Sequence, residues 1–173
     1  MSGQLVVILI RLILPLSILR WPLAGGLVAM LADALDVVLI EIVGGQFDDY
    51  AALDKALDTY YLSLELIVSM RWVAIAKWTS VALFAYRLVG VILFEATQTR
   101  VFLLLFPNLF ENFYLAYLAI VRAAPRFELT PARLAALLFV LLVPKLAQEY
   151  LLHYAEAQPW DWTKRHLGGA WPF

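Results

Sequence analysis

The sequence contains no cysteine and comparatively few charged residues. Without cysteine, the chain has no disulfide, no thiolate metal site, no cysteine nucleophile and no palmitoylation site. Charged residues make up 16% of the chain, whereas a soluble domain has about 25%. The formal net charge is -1 and no basic run is longer than Lys164-Arg165, so we expect no nucleic-acid partner.

Apolar residues make up most of what is present. Of the 173 residues, 64% are hydrophobic, and the mean hydropathy is +0.81. A soluble domain averages about 45–50% apolar residues, so this chain has too little polar surface to cover a water-facing globule. The composition therefore predicts an integral membrane protein whose main surroundings are lipids.

Proline, glycine and charge clusters divide the chain into apolar segments, and a bilayer crossing takes about 20 apolar residues. Six segments are candidates: 4–20, 22–43, 51–70, 78–96, 101–121 and 131–154. The first is short and carries Arg11 at its middle, so it either lies in the interface or crosses at a tilt. We expect an all-α, polytopic helical bundle of five or six transmembrane helices in one domain, 1–156, with an interfacial C-terminal tail, 157–173.

The loops between these segments indicate an orientation. No Lys or Arg precedes the first apolar run, so we expect this segment to be retained rather than cleaved as a signal peptide. One side collects six cations and the other four, and these are Arg20, Arg71, Lys77, Arg122, Arg126 and Arg133 against Lys55, Arg100, Lys164 and Arg165. By the positive-inside rule the larger set faces the cytoplasm, and the acidic loop 47–50 faces outward. A bacterial-type inner membrane is the expected location.

Polar residues inside the apolar segments are informative, because a charge there must face the bundle interior, a cavity or a partner. We expect an intramembrane polar network of eight residues: Glu65, Arg87, Asn108, Glu111, Asn112, Lys145, Glu149 and His153. Arg87 lies near the centre of its segment, and we expect it to pair with Glu65, Glu111 or Glu149.

Two groups within this network have helical spacing. Lys145, Glu149 and His153 recur at i, i+4 and i+8, which places them on one stripe that is either a proton relay or a self-satisfied polar seam. Asn108, Glu111 and Asn112 share a face just after Pro107, and hydrogen bonding between helices is the favoured interpretation.

Four aspartates form two further helical pairs. Asp33 and Asp36 are spaced i, i+3, and Asp54 and Asp58 are spaced i, i+4, on segments joined by a Gly44-Gly45 turn. If the pairs meet, a divalent metal, Arg or Lys neighbours, or protonation must relieve their repulsion. Carboxylate oxygens favour Mg, Mn or Ca among metals. Alternatively, the pairs are hydrated residues that end the spans at the membrane surface.

The four aspartates carry a resemblance to a known family. Their spacing resembles the signature of the CDP-alcohol phosphatidyltransferases, D-x2-D-G-x2-A-R-x8-G-x3-D-x3-D. The resemblance covers about 26 residues and implies six membrane helices and an Mg or Mn cofactor. It also implies that Asp33, Asp36 and Asp54 are metal ligands and that Asp58 is the catalytic base acting on the acceptor alcohol.

The signature positions between the aspartates differ from the family. The Gly, Ala, Arg and Gly positions of the signature are occupied by Val37, Ile40, Glu41 and Tyr50. Glu41 would repel a pyrophosphate where the family's Arg would bind it. The leading prediction is therefore a non-catalytic accessory or scaffold subunit that meets other membrane subunits or itself. A divergent phosphatidyltransferase-like enzyme and a small proton or cation transporter are the alternatives.

Overall fold

The described part of the chain is folded almost entirely into helices. A computed structural model describes residues 3–35, 50–99 and 101–150, and these ranges contain no strand. Its elements are α1 (Gly3–Ile13), a 3₁₀ helix (Leu14–Leu19), α2 (Pro22–Ala34), α3 (Tyr50–Ser69), α4 (Ala74–Thr97), α5 (Val101–Leu105), α6 (Leu109–Ala123) and α7 (Pro131–Glu149). The all-α prediction is confirmed.

Prolines shape the amino-terminal hairpin. Pro15 lies at the start of the 3₁₀ helix, and Pro22 occupies the first turn of α2, where its missing N–H needs no acceptor. Gly25 on α2 lies so close to the backbone at Ser17 and Ile18 that a Cβ at this position would clash with it. The hairpin therefore packs backbone against backbone, as small residues allow in membrane helices.

The predicted segment 101–121 is interrupted at Pro107. The helix ends at Leu105 and resumes at Leu109, because Pro107 has no N–H to donate and disfavours the helical conformation of Phe106. Two side chains of α4 supply donors to the interrupted backbone. The Tyr86 hydroxyl donates to the Leu105 carbonyl at 2.5 Å, and Arg87 Nη1 donates to the Phe106 carbonyl at 3.0 Å.

Among the described residues, three helical segments are long and apolar enough to cross a membrane: Ala74–Thr97, Val101–Ala123 and Pro131–Gln148. The count of five or six is not confirmed. Leu5–Leu19 and Pro22–Ala34 are apolar but shorter, and segments 36–43 and 151–154 lie outside the described residues. The segment predicted at 51–70 is a helix, but Asp54, Lys55, Asp58 and Glu65 make it too charged to qualify by composition.

Aromatic residues dominate the core. Phe110 and Tyr114 on α6 pack with Ile18, Ala29 and residues of α3 in one cluster. Phe113 and Tyr117, on the next turns of α6, pack with Ala76 and Leu129 in a second cluster, and Trp72 touches both. The carboxyl-terminal helix α7 is far less covered, and Phe139, for example, remains 68% exposed. An exposed apolar face of this kind is what a lipid-facing helix presents.

Candidate functional site

Arg11 is the centre of a buried ion-pair network. Its side chain is 3% exposed and reaches from α1 to two neighbouring helices. Nη1 donates to Asp54 Oδ1 at 2.7 Å, and Nη2 donates to Asp58 Oδ1 at 2.7 Å and to Asp33 Oδ1. One guanidinium therefore binds three carboxylates, using the several fixed donors that distinguish arginine from lysine.

The helices explain how these groups meet. Asp33 lies in the last turn of α2, while Asp54 and Asp58 are one turn apart on α3 and so share a face. Lys55 Nζ donates to Asp54 Oδ2 at 2.5 Å and lies 3.6 Å from Asp58 Oδ2. We call these five residues, Arg11, Asp33, Asp54, Lys55 and Asp58, the amino-terminal network.

Among the described residues, the repulsion between these three carboxylates is thus relieved by two cationic side chains. One oxygen from each of Asp33, Asp54 and Asp58 lies within 4.8 Å of the others, a spacing that could hold a metal ion. All three carboxylates, however, already accept from Arg11, so a divalent cation would have to displace the guanidinium. Asp36, the fourth aspartate of the predicted set, lies outside the described residues.

A second polar group lies inside the bundle around Glu111. Glu111 is 7% exposed. Its Oε1 accepts from the Tyr61 hydroxyl at 3.0 Å, and its Oε2 accepts from Asn108 Nδ2 at 3.1 Å. Lys145 of α7 and Arg87 of α4 add favourable charge interactions with this carboxyl. The predicted contact of α6 polar residues with other helices therefore includes Tyr61, which the sequence analysis did not single out.

Glu65 is the most isolated carboxyl among the described residues. It is completely buried, and neither Oε1 nor Oε2 has a hydrogen-bond partner. A Cβ added at Gly26 would lie 3.1 Å from Glu65 Oε1, so the carboxyl faces the glycine surface of α2. Burying an ionised carboxyl without a partner is very unfavourable, so this arrangement favours the neutral acid.

Arg87 is buried as predicted, but its partner is different. The expected salt bridge to Glu65 or Glu111 is absent from the described residues, and the guanidinium instead donates to the Phe106 carbonyl. The physical reason is the break at Pro107, which leaves carbonyl oxygens at the carboxyl end of α5 that a cation satisfies well. The side chain of Glu149, the third predicted partner, lies outside the described residues.

Of the remaining described residues of the predicted polar network, some have hydrogen-bond partners and others do not. Lys145 is buried and donates to Gln148 Oε1 at 3.3 Å, and Asn112 Oδ1 is buried without a hydrogen-bond partner. His153, the tail 157–173 and the acidic loop 47–50 lie outside the described residues. The stripe formed by Lys145, Glu149 and His153 therefore stays a prediction.

The space beside the amino-terminal network is small. A cavity of about 10 Å³ lies between Asp58, Leu62 and Arg87. A single water needs roughly 10–15 Å³ measured in this way, so the cavity holds one water at most. A nucleotide or a lipid headgroup does not fit there unless the helices move apart.

Arg11 and Lys55 are the functional residues that the sequence analysis did not assign. From the sequence, Arg11 was considered only as an obstacle to a first membrane span, and Lys55 was counted only among the loop cations. The available signal was a lone arginine in an apolar run, together with aspartate pairs that needed a cation.

Compared with known proteins, the chain matches no protein-family model, no curated protein and no solved structure.

Proposed function

We propose that this chain is a non-catalytic integral membrane protein, an accessory or scaffold subunit in which buried ion pairs fix the relative positions of helices. The observation that carries the proposal is the Arg11 guanidinium bound to Asp33, Asp54 and Asp58. Carboxylates held in this way connect α1, α2 and α3, and each of them already accepts from a cationic side chain of the protein. A structural role needs nothing further from them.

Two other features support this proposal. The cavity between Asp58, Leu62 and Arg87 admits one water at most, so this cavity itself does not hold a substrate. The outer face of α7 exposes Phe139, Val140 and Val143, which suits contact with lipid, with another membrane subunit or with a second copy of the chain. We place the protein in a bacterial-type inner membrane with its larger set of loop cations in the cytoplasm.

A divergent phosphatidyltransferase-like enzyme is the second candidate, and one observation favours it. Three of the four aspartates at the family's spacing converge within 4.8 Å. On this alternative Asp33 and Asp54 would hold Mg or Mn, which would neutralise a phosphate group, while Asp58 would accept the proton of an alcohol. Arg11 would have to leave the three carboxylates first.

Metal response and turnover separate the two candidates. The full chain, purified in phosphatidylcholine nanodiscs, is heated with and without 10 mM Mg²⁺ or Mn²⁺, at about the concentration where weak sites fill. The scaffold proposal expects no metal-dependent rise in Tm for the wild-type chain and no transfer from CDP-diacylglycerol to glycerol phosphate.

The matched variant is Arg11→Gln, which removes the guanidinium and keeps a polar side chain. If Arg11 takes the place of a metal, this variant should gain a metal-dependent rise in Tm, and adding Asp58→Asn should reduce the gain. Metal-dependent transfer by the wild-type chain that disappears in Asp58→Asn would overturn the scaffold proposal and establish the enzyme.

A further inference from the structure

Cationic side chains collect at one end of the bundle. Ile18 packs in the same cluster as Val68 and beside Trp72, which brings the α1–α2 connection next to the α3–α4 connection. Trp72 also packs in the cluster that contains Leu129 and Phe127 of the α6–α7 connection. The three connections therefore share one end, and in or beside them lie Arg20, Arg71, Lys77, Arg122, Arg126 and Arg133.

Few acidic groups offset this charge. Glu128 is the one acidic residue in these three connections, so this end has six cations and one carboxylate. Arg20, Arg71, Arg122 and Arg126 are exposed, and within the described ranges their guanidinium groups form no hydrogen bond or ion pair. The amino-terminal network pairs its two cations internally, whereas four of the six cations at this end have no such partner among the described residues and are open to a ligand from outside the chain.

A cleft concentrates two of these arginines. It has a volume of about 510 Å³ and is lined by Ala124, Pro125, Arg126, Phe127 and Arg133. Arg133 is held in place, because Nη1 donates to the Glu128 carbonyl at 2.8 Å and the guanidinium lies 5.3 Å from the Phe127 ring centroid. Arg126 completes the cleft as a second, unengaged guanidinium. Paired planar guanidinium groups match the oxygens of a phosphate well.

The surroundings of the cleft identify the source of the phosphate. The cleft lies where Val101–Ala123 ends and Pro131–Gln148 begins, and both segments are long and apolar enough to cross the membrane. If these segments cross the membrane, the cleft lies at the level of the lipid headgroups, and α7 extends from it with exposed apolar residues such as Phe139 and Val140. Basic clefts at the ends of membrane helices bind anionic lipid headgroups.

We propose that the cleft between Arg126 and Arg133 is a binding site for the phosphate of an anionic membrane lipid. Arg126 binds the phosphate directly, and Arg133 adds positive charge from its fixed position beside Phe127. The neighbouring exposed cations draw anionic lipid to the same end without forming the site. This site is separate from the carboxylates of the amino-terminal network and does not depend on whether the chain is a scaffold or an enzyme.

Native mass spectrometry of the full chain tests the proposal by counting bound lipids during titration with phosphatidylglycerol or phosphatidylcholine. The wild-type chain should bind phosphatidylglycerol preferentially. Arg126→Gln should weaken that binding about tenfold, because it removes a charged hydrogen bond made directly to the phosphate. The matched control is Arg20→Gln, an exposed arginine of the same end outside the cleft, which should change the affinity by less than twofold.

Further measurements test whether the phosphate comes from a lipid and whether the variants are still folded. Arg126→Lys should bind more weakly than wild type but more tightly than Arg126→Gln, because charge is retained while the fork geometry is lost. Glycerol phosphate at the same concentration should not compete, and competition by it would show a soluble phosphate ligand rather than a lipid. Equal loss in Arg20→Gln and Arg126→Gln, with unchanged Tm in phosphatidylcholine, would overturn the cleft as a site.

Discussion

The amino-terminal network and the carboxyls inside the bundle solve the same electrostatic problem in different ways. Around Arg11, the three carboxylates receive donors from two cations, Arg11 and Lys55, so positive charge offsets most of the negative charge. Around Glu111, the direct donors are the neutral groups of Tyr61 and Asn108, and Glu65 has no donor at all. The difference indicates that ion pairs hold the first region together, while Glu65 stays buried as a neutral acid.

The largest effect should come from removing the shared cation. Arg11→Gln leaves Asp33, Asp54 and Asp58 without their common guanidinium, and breaking a buried ion pair by removing one partner costs about 3–5 kcal/mol. We expect a loss of this order in the free energy of unfolding, measured by denaturant titration in mixed micelles.

Two control variants sharpen this comparison. Arg20→Gln removes an exposed arginine of the neighbouring connection and should leave the unfolding midpoint unchanged. Adding Asp54→Asn and Asp58→Asn to Arg11→Gln should recover much of the lost stability, because the unpaired charges are removed as well. An unfolding free energy for Arg11→Gln within experimental error of wild type would mean that the network is hydrated and unimportant for stability.

An intermediate effect is expected from Tyr61→Phe. This change deletes the hydroxyl that donates to Glu111 Oε1, and an unsatisfied buried acceptor costs about 1–3 kcal/mol. Tyr60→Phe is the matched control, because the Tyr60 hydroxyl donates to the Leu12 carbonyl at an exposed position. The same unfolding measurement should place Tyr61→Phe clearly below Tyr60→Phe, and the reverse order would contradict the importance of the Glu111 group.

The smallest effect should come from Glu65→Gln. If Glu65 is already neutral, exchanging its carboxyl for an amide of nearly the same shape should shift the unfolding free energy by less than about 1 kcal/mol. Thermal unfolding at pH 6 and pH 8 checks this, with Glu128→Gln as the exposed control. A destabilisation larger than that of Tyr61→Phe would show that Glu65 is ionised and held by a partner.

The sequence predicted the helical class and most helix positions well, because apolar runs and Pro or Gly punctuation are local signals. The structure places Ala74–Thr97 close to the predicted 78–96, and Pro131–Glu149 begins at the predicted residue. The predicted number of spans is not confirmed, because α3 carries charges whose place relative to a membrane composition alone does not decide.

The partners of the buried charges were harder to predict. Electrostatics alone predicts that the aspartates need a cation. That this cation is Arg11 depends on tertiary packing, since Asp54 and Asp58 lie 43 and 47 positions away from it in the sequence. Arg87 shows the same limit. Its partner is the Phe106 carbonyl, which is free to accept because Pro107 interrupts the helix. Every residue has a backbone carbonyl, so the sequence does not show which one will accept.

The interruption at Pro107 also constrains the order in which the chain enters a membrane. A carbonyl without a donor is unfavourable in hydrocarbon, and the donors for Leu105 and Phe106 come from Tyr86 and Arg87 on the preceding helix. During synthesis α4 emerges first and carries these donors. The interrupted segment alone would expose two carbonyl groups without donors to lipid. For the membrane protein that we propose, we therefore expect the two segments to insert together as a hairpin, in which the earlier helix supplies the donors for the later one.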